Sequence, residues 1–73
     1  MRARVLRSLE SADGTRCVDL VAAEGGVAWV ECRRDPEDGH GWRRIGVPSG
    51  AFADEDAARR DAAATTGWLE ADG

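Results

Sequence analysis

The sequence predicts an α+β domain: an antiparallel β-meander of three to four strands packed against one C-terminal helix. Three observations among its 73 residues carry that reading. Asp13-Gly14 separates two runs in which apolar and polar residues alternate, the strongest short-range hairpin signal. Glu24-Gly25-Gly26 separates the second run from a third. Asp54 then precedes an alanine-rich segment that stops at Gly67, a helix with an N-cap and a C-terminal glycine.

The first two strands are expected over about 3–11 (ARVLRSLES) and 15–23 (TRCVDLVAA). With Asp13-Gly14 as the two residues of a type I′ turn, Leu9 faces Val18, Arg7 faces Leu20 and Val5 faces Ala22. That face is apolar apart from Arg7, whose stem can lie along it with the guanidinium in water.

The third strand, about 27–34 (VAWVECRR), can pair in two registers. A three-residue loop with Gly26 in a left-handed bulge sets Val18 against Cys32 and Leu20 against Val30. Val18, Leu20, Ala28, Val30 and Cys32 then share a face, and Trp29 lies opposite with Val27 and Glu31. A two-residue loop, Glu24-Gly25, instead sets Cys17 against Cys32 and Leu20 against Trp29. A slip of one residue exchanges the two faces of the strand. The three-residue loop is the expectation, because it makes one face uniformly apolar.

Asp35–Gly41 (DPEDGHG) reads as a polar loop. A fourth strand, about 42–47 (WRRIGV), would turn Ile45 and Val47 inward and Trp42 and Arg44 outward, ending at Pro48-Ser49-Gly50. The helix spans about 55–66, with Asp54 as N-cap and Glu55 and Asp56 at the positive end of the dipole. Its buried stripe is expected to be Ala57, Ala58, Ala62 and Thr65, with Phe52 just ahead of the cap. Arg59, Arg60 and Asp61 take the wet side. Trp68 and Leu69 fold back on the last turn.

The apolar inventory is thin for a single domain: one Phe, one Ile, four Leu and no Tyr, so the three Trp supply much of the bulk. A chain of this size buries only about 60% of its unfolded surface. A second subunit or a partner is one way to stabilise such a fold. The formal net charge is −4, and all ten basic residues are Arg. Residues 1–34 hold six Arg against five acids, and residues 35–73 hold four against nine. There is no apolar run of transmembrane length, and the N-terminal MRARVLRSLES has no apolar h-region of a secretory signal, so a cytoplasmic location with Cys17 and Cys32 as free thiols is expected.

The chemistry-bearing residues do not combine into a recognisable catalytic or metal set. His40, the one histidine, stands between glycines, where an imidazole is poorly oriented for general-base work. Two isolated cysteines and one histidine fall short of a four-ligand zinc site. Asp35-Pro36-Glu37-Asp38-Gly39 lacks the alternating ligands and distal Glu of an EF-hand loop, and Gly25-Gly26 lacks any phosphate-loop context. No catalytic residue, cofactor or metal is assigned. The surface feature that stands out is the pair of doublets Arg33-Arg34 and Arg43-Arg44, with Trp42 adjacent and Trp29 on a shared surface. Arg beside exposed Trp is the composition of protein-binding hot spots and of platforms that stack single-stranded bases. These six residues are the candidate partner-binding set.

Two resemblances follow from the residues. TRCVDLV, ECRRDPEDGHGW and the helix start at Phe52, Asp54, Glu55 and Ala57 resemble a group of small uncharacterised bacterial proteins of about this length. That resemblance covers nearly the whole chain and implies no activity. Trp42-Arg43-Arg44-Ile45-Gly46, followed by Phe52 and the Glu55–Ala57 helix start, is similar to the WGR domain of poly(ADP-ribose) polymerases and bacterial DNA-associated proteins. This likeness spans only the last third, with Arg43 in place of the motif's central Gly, and it implies nucleic-acid contact by Trp42 and Arg44.

The functional expectation is a non-catalytic module that binds a protein partner or itself. The alternatives are a WGR-like nucleic-acid binder, and an acidic inhibitor or nucleic-acid mimic if Asp54, Glu55, Asp56 and Asp61 form one exposed patch.

Overall fold

The computed structural model describes residues 4–34 and 41–70. Four strands, β1 (Val5–Glu10), β2 (Arg16–Ala23), β3 (Gly26–Arg33) and β4 (Arg43–Arg44), form an antiparallel sheet in chain order. One helix, α1 (Glu55–Thr66), follows. The predicted α+β meander with a C-terminal helix is therefore the observed architecture.

In the first hairpin Leu9 pairs with Val18 and Arg7 with Leu20, as expected. The turn is of another kind. A type I′ turn needs positive φ at both central residues, and no non-glycine residue here has one. Gly14 takes the left-handed conformation (φ 74) and donates its N–H to the Ser11 carbonyl (3.0 Å). Asp13 Oδ1 accepts from Ser11 Oγ (2.7 Å), Thr15 N (3.0 Å) and Thr15 Oγ1 (2.7 Å), which holds the loop closed. These bonds, with Ser11 first, stabilise the carboxylate and hold its pKa down at about 2. Farther along, Val5 pairs with Val21 and not Ala22, because the register shifts between Val5 and Arg7. An outer strand absorbs such an irregularity readily.

The second hairpin takes the two-residue register, Cys17 opposite Cys32, Val18 opposite Glu31 and Leu20 opposite Trp29, which overturns the three-residue expectation. Gly25 (φ 87) occupies the second turn position, as a type II turn requires. Val27, Trp29 and Glu31 consequently face the helix, and Ala28, Val30 and Cys32 face away. The reason is volume. Ala58 and Ala62 bring small side chains to the helix–sheet contact, both fully buried. Ala28 and Val30 opposite two alanines would leave space unfilled, at a cost in lost dispersion and a residual cavity. Leu20, Trp29, Phe52, Trp68 and Leu69 fill it. Trp29 Nε1 donates to Asp61 Oδ2 on the helix (2.8 Å), and Trp68 Nε1 donates to Glu31 Oε2 on β3 (2.8 Å). Asp61 is thus half-buried at the interface and not on the wet side.

The helix itself matches the sequence reading. Asp54 Oδ1 accepts from Ala57 N (2.8 Å), and Gly67 (φ 78) donates to the Ala63 carbonyl (3.2 Å). The buried stripe differs at its end. Thr65 is exposed and Thr66 is half-buried, following Ala58 and Ala62 at helical spacing. The fourth strand is shorter than the expected 42–47. Beyond Arg44 the chain still tracks β3, since Ile45 N donates to Glu31 O (3.0 Å), Ser49 N to Trp29 O (2.9 Å) and Phe52 N to Val27 O (2.7 Å). Gly46 and Pro48 interrupt the ladder between those bonds, and Ile45 (48% exposed) and Val47 (88%) point to solvent instead of inward.

Gly26 marks the closest approach. A Cβ at that position would stand 2.0 Å from the Phe52 carbonyl oxygen. Gly26→Ala is expected to break the Val27–Phe52 bridge and to lower the unfolding free energy by about 1–3 kcal/mol, the usual cost of overpacking. Urea unfolding checks this; an unchanged midpoint would contradict the close contact.

Candidate functional site

Strand pleating divides the six candidate residues. Arg33 follows Glu31 on the helix-bearing face of the sheet, and Arg43 is directly opposite Arg33. Arg16, two residues before buried Val18, is opposite Arg33 on the other side. Arg16, Arg33 and Arg43 therefore form one row across β2, β3 and β4, all exposed. Neighbouring strands lie about 4.8 Å apart, and like charges directly opposite destabilise a sheet. Among the described residues no ion pair holds Arg16 or Arg33, although the charge of Arg16 acts on the Asp13 carboxylate.

Arg34, Trp42 and Arg44 lie on the opposite face, Arg44 facing Cys32. The Arg34 guanidinium stacks over the Trp42 ring at 4.6 Å and donates to the Gly14 carbonyl (2.9 Å). A cation–π contact at such a half-open site contributes about 0.5–1 kcal/mol. It ties β3 to the first turn and to Trp42, which is 37% exposed. Trp29 belongs to neither group, since the observed register places it half-buried under the helix. The sequence reading missed Arg16. The signal was there, because Arg16 stands opposite an arginine in either register, Arg34 in the expected one and Arg33 in the observed one.

Next to the arginine row, the chain after the helix and the first turn enclose two shallow hollows. One, of about 500 Å³, is lined by Leu9, Ala12, Arg59, Trp68 and Leu69 among others. The second, of about 460 Å³, shares Ser11, Ala12 and Trp68 with the first and ends on Asp13 and Arg16. The bond from Trp68 to Glu31 fixes the indole between them. Along the helix N-terminus, Arg7 Nε pairs with Glu55 Oε1 at 3.3 Å, with both side chains largely wet (60% and 43% exposed). A pair so exposed contributes little to stability.

Cys17 and Cys32 are free, buried and directly opposite. Asp19, on the same face, accepts from Ser8 Oγ (2.7 Å), Cys17 Sγ (3.3 Å) and Cys32 Sγ (3.8 Å). Burial first, and the Asp19 carboxylate second, push the Cys17 thiol up to about 12 from its ordinary 9.0. The same causes raise Cys32. Both therefore stay protonated, the reverse of an activated nucleophile. Among the described residues no group of three or more His, Cys, Asp or Glu is arranged to hold a metal ion. His40 and the acidic run 35–39 lie outside the described residues.

The four helix-region acids are dispersed in their tasks. Asp54 caps the helix, Glu55 pairs with Arg7 and Asp61 receives Trp29. Asp56 alone of them has no such role, so they form no single free acidic patch. No helix among the described residues is long and apolar enough to cross a membrane. No protein-family model, curated protein or solved structure matches this chain.

The raised thiols carry a pH prediction. Between pH 9 and 12 the unfolded chain sheds thiol protons that the native chain keeps, so stability falls as pH rises through that window. Chemical denaturation in a pH series checks the slope, and Cys17→Ser/Cys32→Ser should flatten it. Iodoacetamide at pH 9 should label both cysteines at the rate of unfolding; rapid labelling of folded protein would contradict the buried-thiol assignment.

Proposed function

We propose that this chain is a small non-catalytic module of the cytoplasm that binds a protein partner through the arginine-bearing end of its sheet. The opposed pair Arg16–Arg33 carries the reading. Two cations set directly opposite one another weaken the isolated sheet, and an anionic partner would offset that weakness on binding. Arg is suited to this role, because its planar fork engages carboxylates bidentately and keeps its charge at any physiological pH. Exposed Trp42, stacked by Arg34, extends the surface on the opposite face. A nucleic-acid partner is less well supported. The chain carries a net −4, and the Trp42 and Arg44 of the WGR-like stretch lie on the face away from Arg33 and Arg43.

The test joins stability to binding. Arg33→Gln is expected to raise the unfolding free energy by about 0.2–1 kcal/mol, the scale of a cross-strand like-charge pair. It should also release, from a column of the immobilised protein, whatever partner the wild-type chain retains in low salt. A fall in stability on Arg33→Gln would mean that the row is balanced within the fold and would remove the reading.

A second reading, self-association, is favoured by β1. It is an outer strand without proline, and beside its irregularity Val5 (46%) and Leu6 (39%) are exposed. Such an edge accepts another strand. Sedimentation equilibrium over a concentration series should then detect a dimer that Leu6→Arg abolishes; a monomer throughout would remove this reading.

A further inference from the structure

We infer that the partner segment is an extended peptide that combines acidic residues with a bulky apolar one. Its apolar side chain would occupy the hollow beside Trp68, and its carboxylates would lie on Arg16 and Arg33. This deepens the reading above and rests on it.

Two independent features meet here. The first is the arginine row. The second is the hollow lined by Leu9, Ala12, Trp68 and Leu69, which opens into a neighbouring one that ends on Arg16. The Trp68–Glu31 bond joins them, because Glu31 is the residue two before Arg33 on the same strand face. The indole is thereby held between Arg16 and a hollow whose apolar floor of Leu9, Ala12 and Leu69 is rimmed by Glu10, Arg59 and Glu70. A rigid aromatic held in place loses little entropy on binding.

The geometry selects an extended chain. Alternate side chains of a strand recur about every 6.6–6.8 Å, and adjacent strands place Arg16 and Arg33 about 4.8 Å apart at the backbone. Long Arg stems cover that difference. The charge balance selects a peptide over a nucleic-acid strand. Glu10, Asp13 and Glu70 stand around the two hollows. They would repel a ligand with a charge on every unit and tolerate one with a few carboxylates aimed at the row.

The test uses four labelled probes with the whole chain at low salt: a short peptide alternating Asp and Leu, a Lys–Leu counterpart, an oligo-Glu peptide and an oligothymidylate. Two variants accompany them, Arg16→Gln/Arg33→Gln and Ala12→Phe, which fills the hollow from an exposed turn position. Cooperative thermal melts, shifted upward for the Arg double variant, establish that either variant is folded. The expected result is binding of the Asp–Leu peptide that weakens at least about tenfold in each variant, as loss of charge-assisted bonds or of a buried apolar side chain predicts. Equal binding of oligo-Glu, insensitive to Ala12→Phe, would overturn the apolar anchor and leave the cationic interaction module standing. Preference for oligothymidylate would overturn both. Binding of Lys–Leu, or of no probe, would overturn the peptide inference, and the Arg33→Gln stability measurement would then decide the broader reading.

Discussion

Two indole–carboxylate hydrogen bonds hold the sheet and the helical layer together. In one, a tryptophan of β3 donates to an aspartate of α1. In the other, a tryptophan beyond α1 donates to a glutamate of β3. Each hydrogen bond to a charged acceptor contributes about 1.5–3 kcal/mol, a substantial share of the stability of a chain this small. Their larger effect is on specificity. Both require Trp29 and Glu31 to point at the helix, so both exist only in the two-residue register of the second hairpin. A slip by one residue would strand the two indoles and two carboxylates together.

The same constraint explains which parts of the fold were legible in the sequence. Local chemistry was readable. Asp54 before an alanine run and Gly67 after it defined α1 to the residue, and Asp13-Gly14 located the first turn and the pairing of Leu9 and Arg7, though not the turn type or the partner of Val5. The register of β3 was not readable from apolarity. Ala28, Val30 and Cys32 make a uniformly apolar face, and Trp29 with Glu31 makes a mixed one. What decides is volume against an alanine-rich helix, together with a polar partner for each indole and carboxylate. Asp61 and Trp68 supply those partners, and both stand more than thirty residues away in the chain. Once Trp29 is known to need a buried acceptor, Asp61 ceases to be a solvent-facing helix residue.

Register also decides what the surface presents. The doublets Arg33-Arg34 and Arg43-Arg44 read as one cationic cluster in sequence, yet the pleat sends alternate members to opposite faces. One member of each doublet joins Arg16 in a row beside Trp68. The others share the face of Trp42, where Arg34 is occupied by the indole and the Gly14 carbonyl. The same register brings Cys17 opposite Cys32 with Asp19 accepting from both, an arrangement that keeps them as thiols. The cation row, the fixed Trp68 and the quiet thiols are consequences of a single turn with two residues instead of three.

The register is open to direct measurement. Nuclear Overhauser spectra of the folded chain should show short Hα–Hα contacts between Leu20 and Trp29 and between Val18 and Glu31, the closely spaced non-hydrogen-bonded pairs of this ladder. Contacts linking Leu20 with Val30 and Val18 with Cys32 in their place would contradict the account, and Arg16 would then stand opposite Arg34 instead of Arg33.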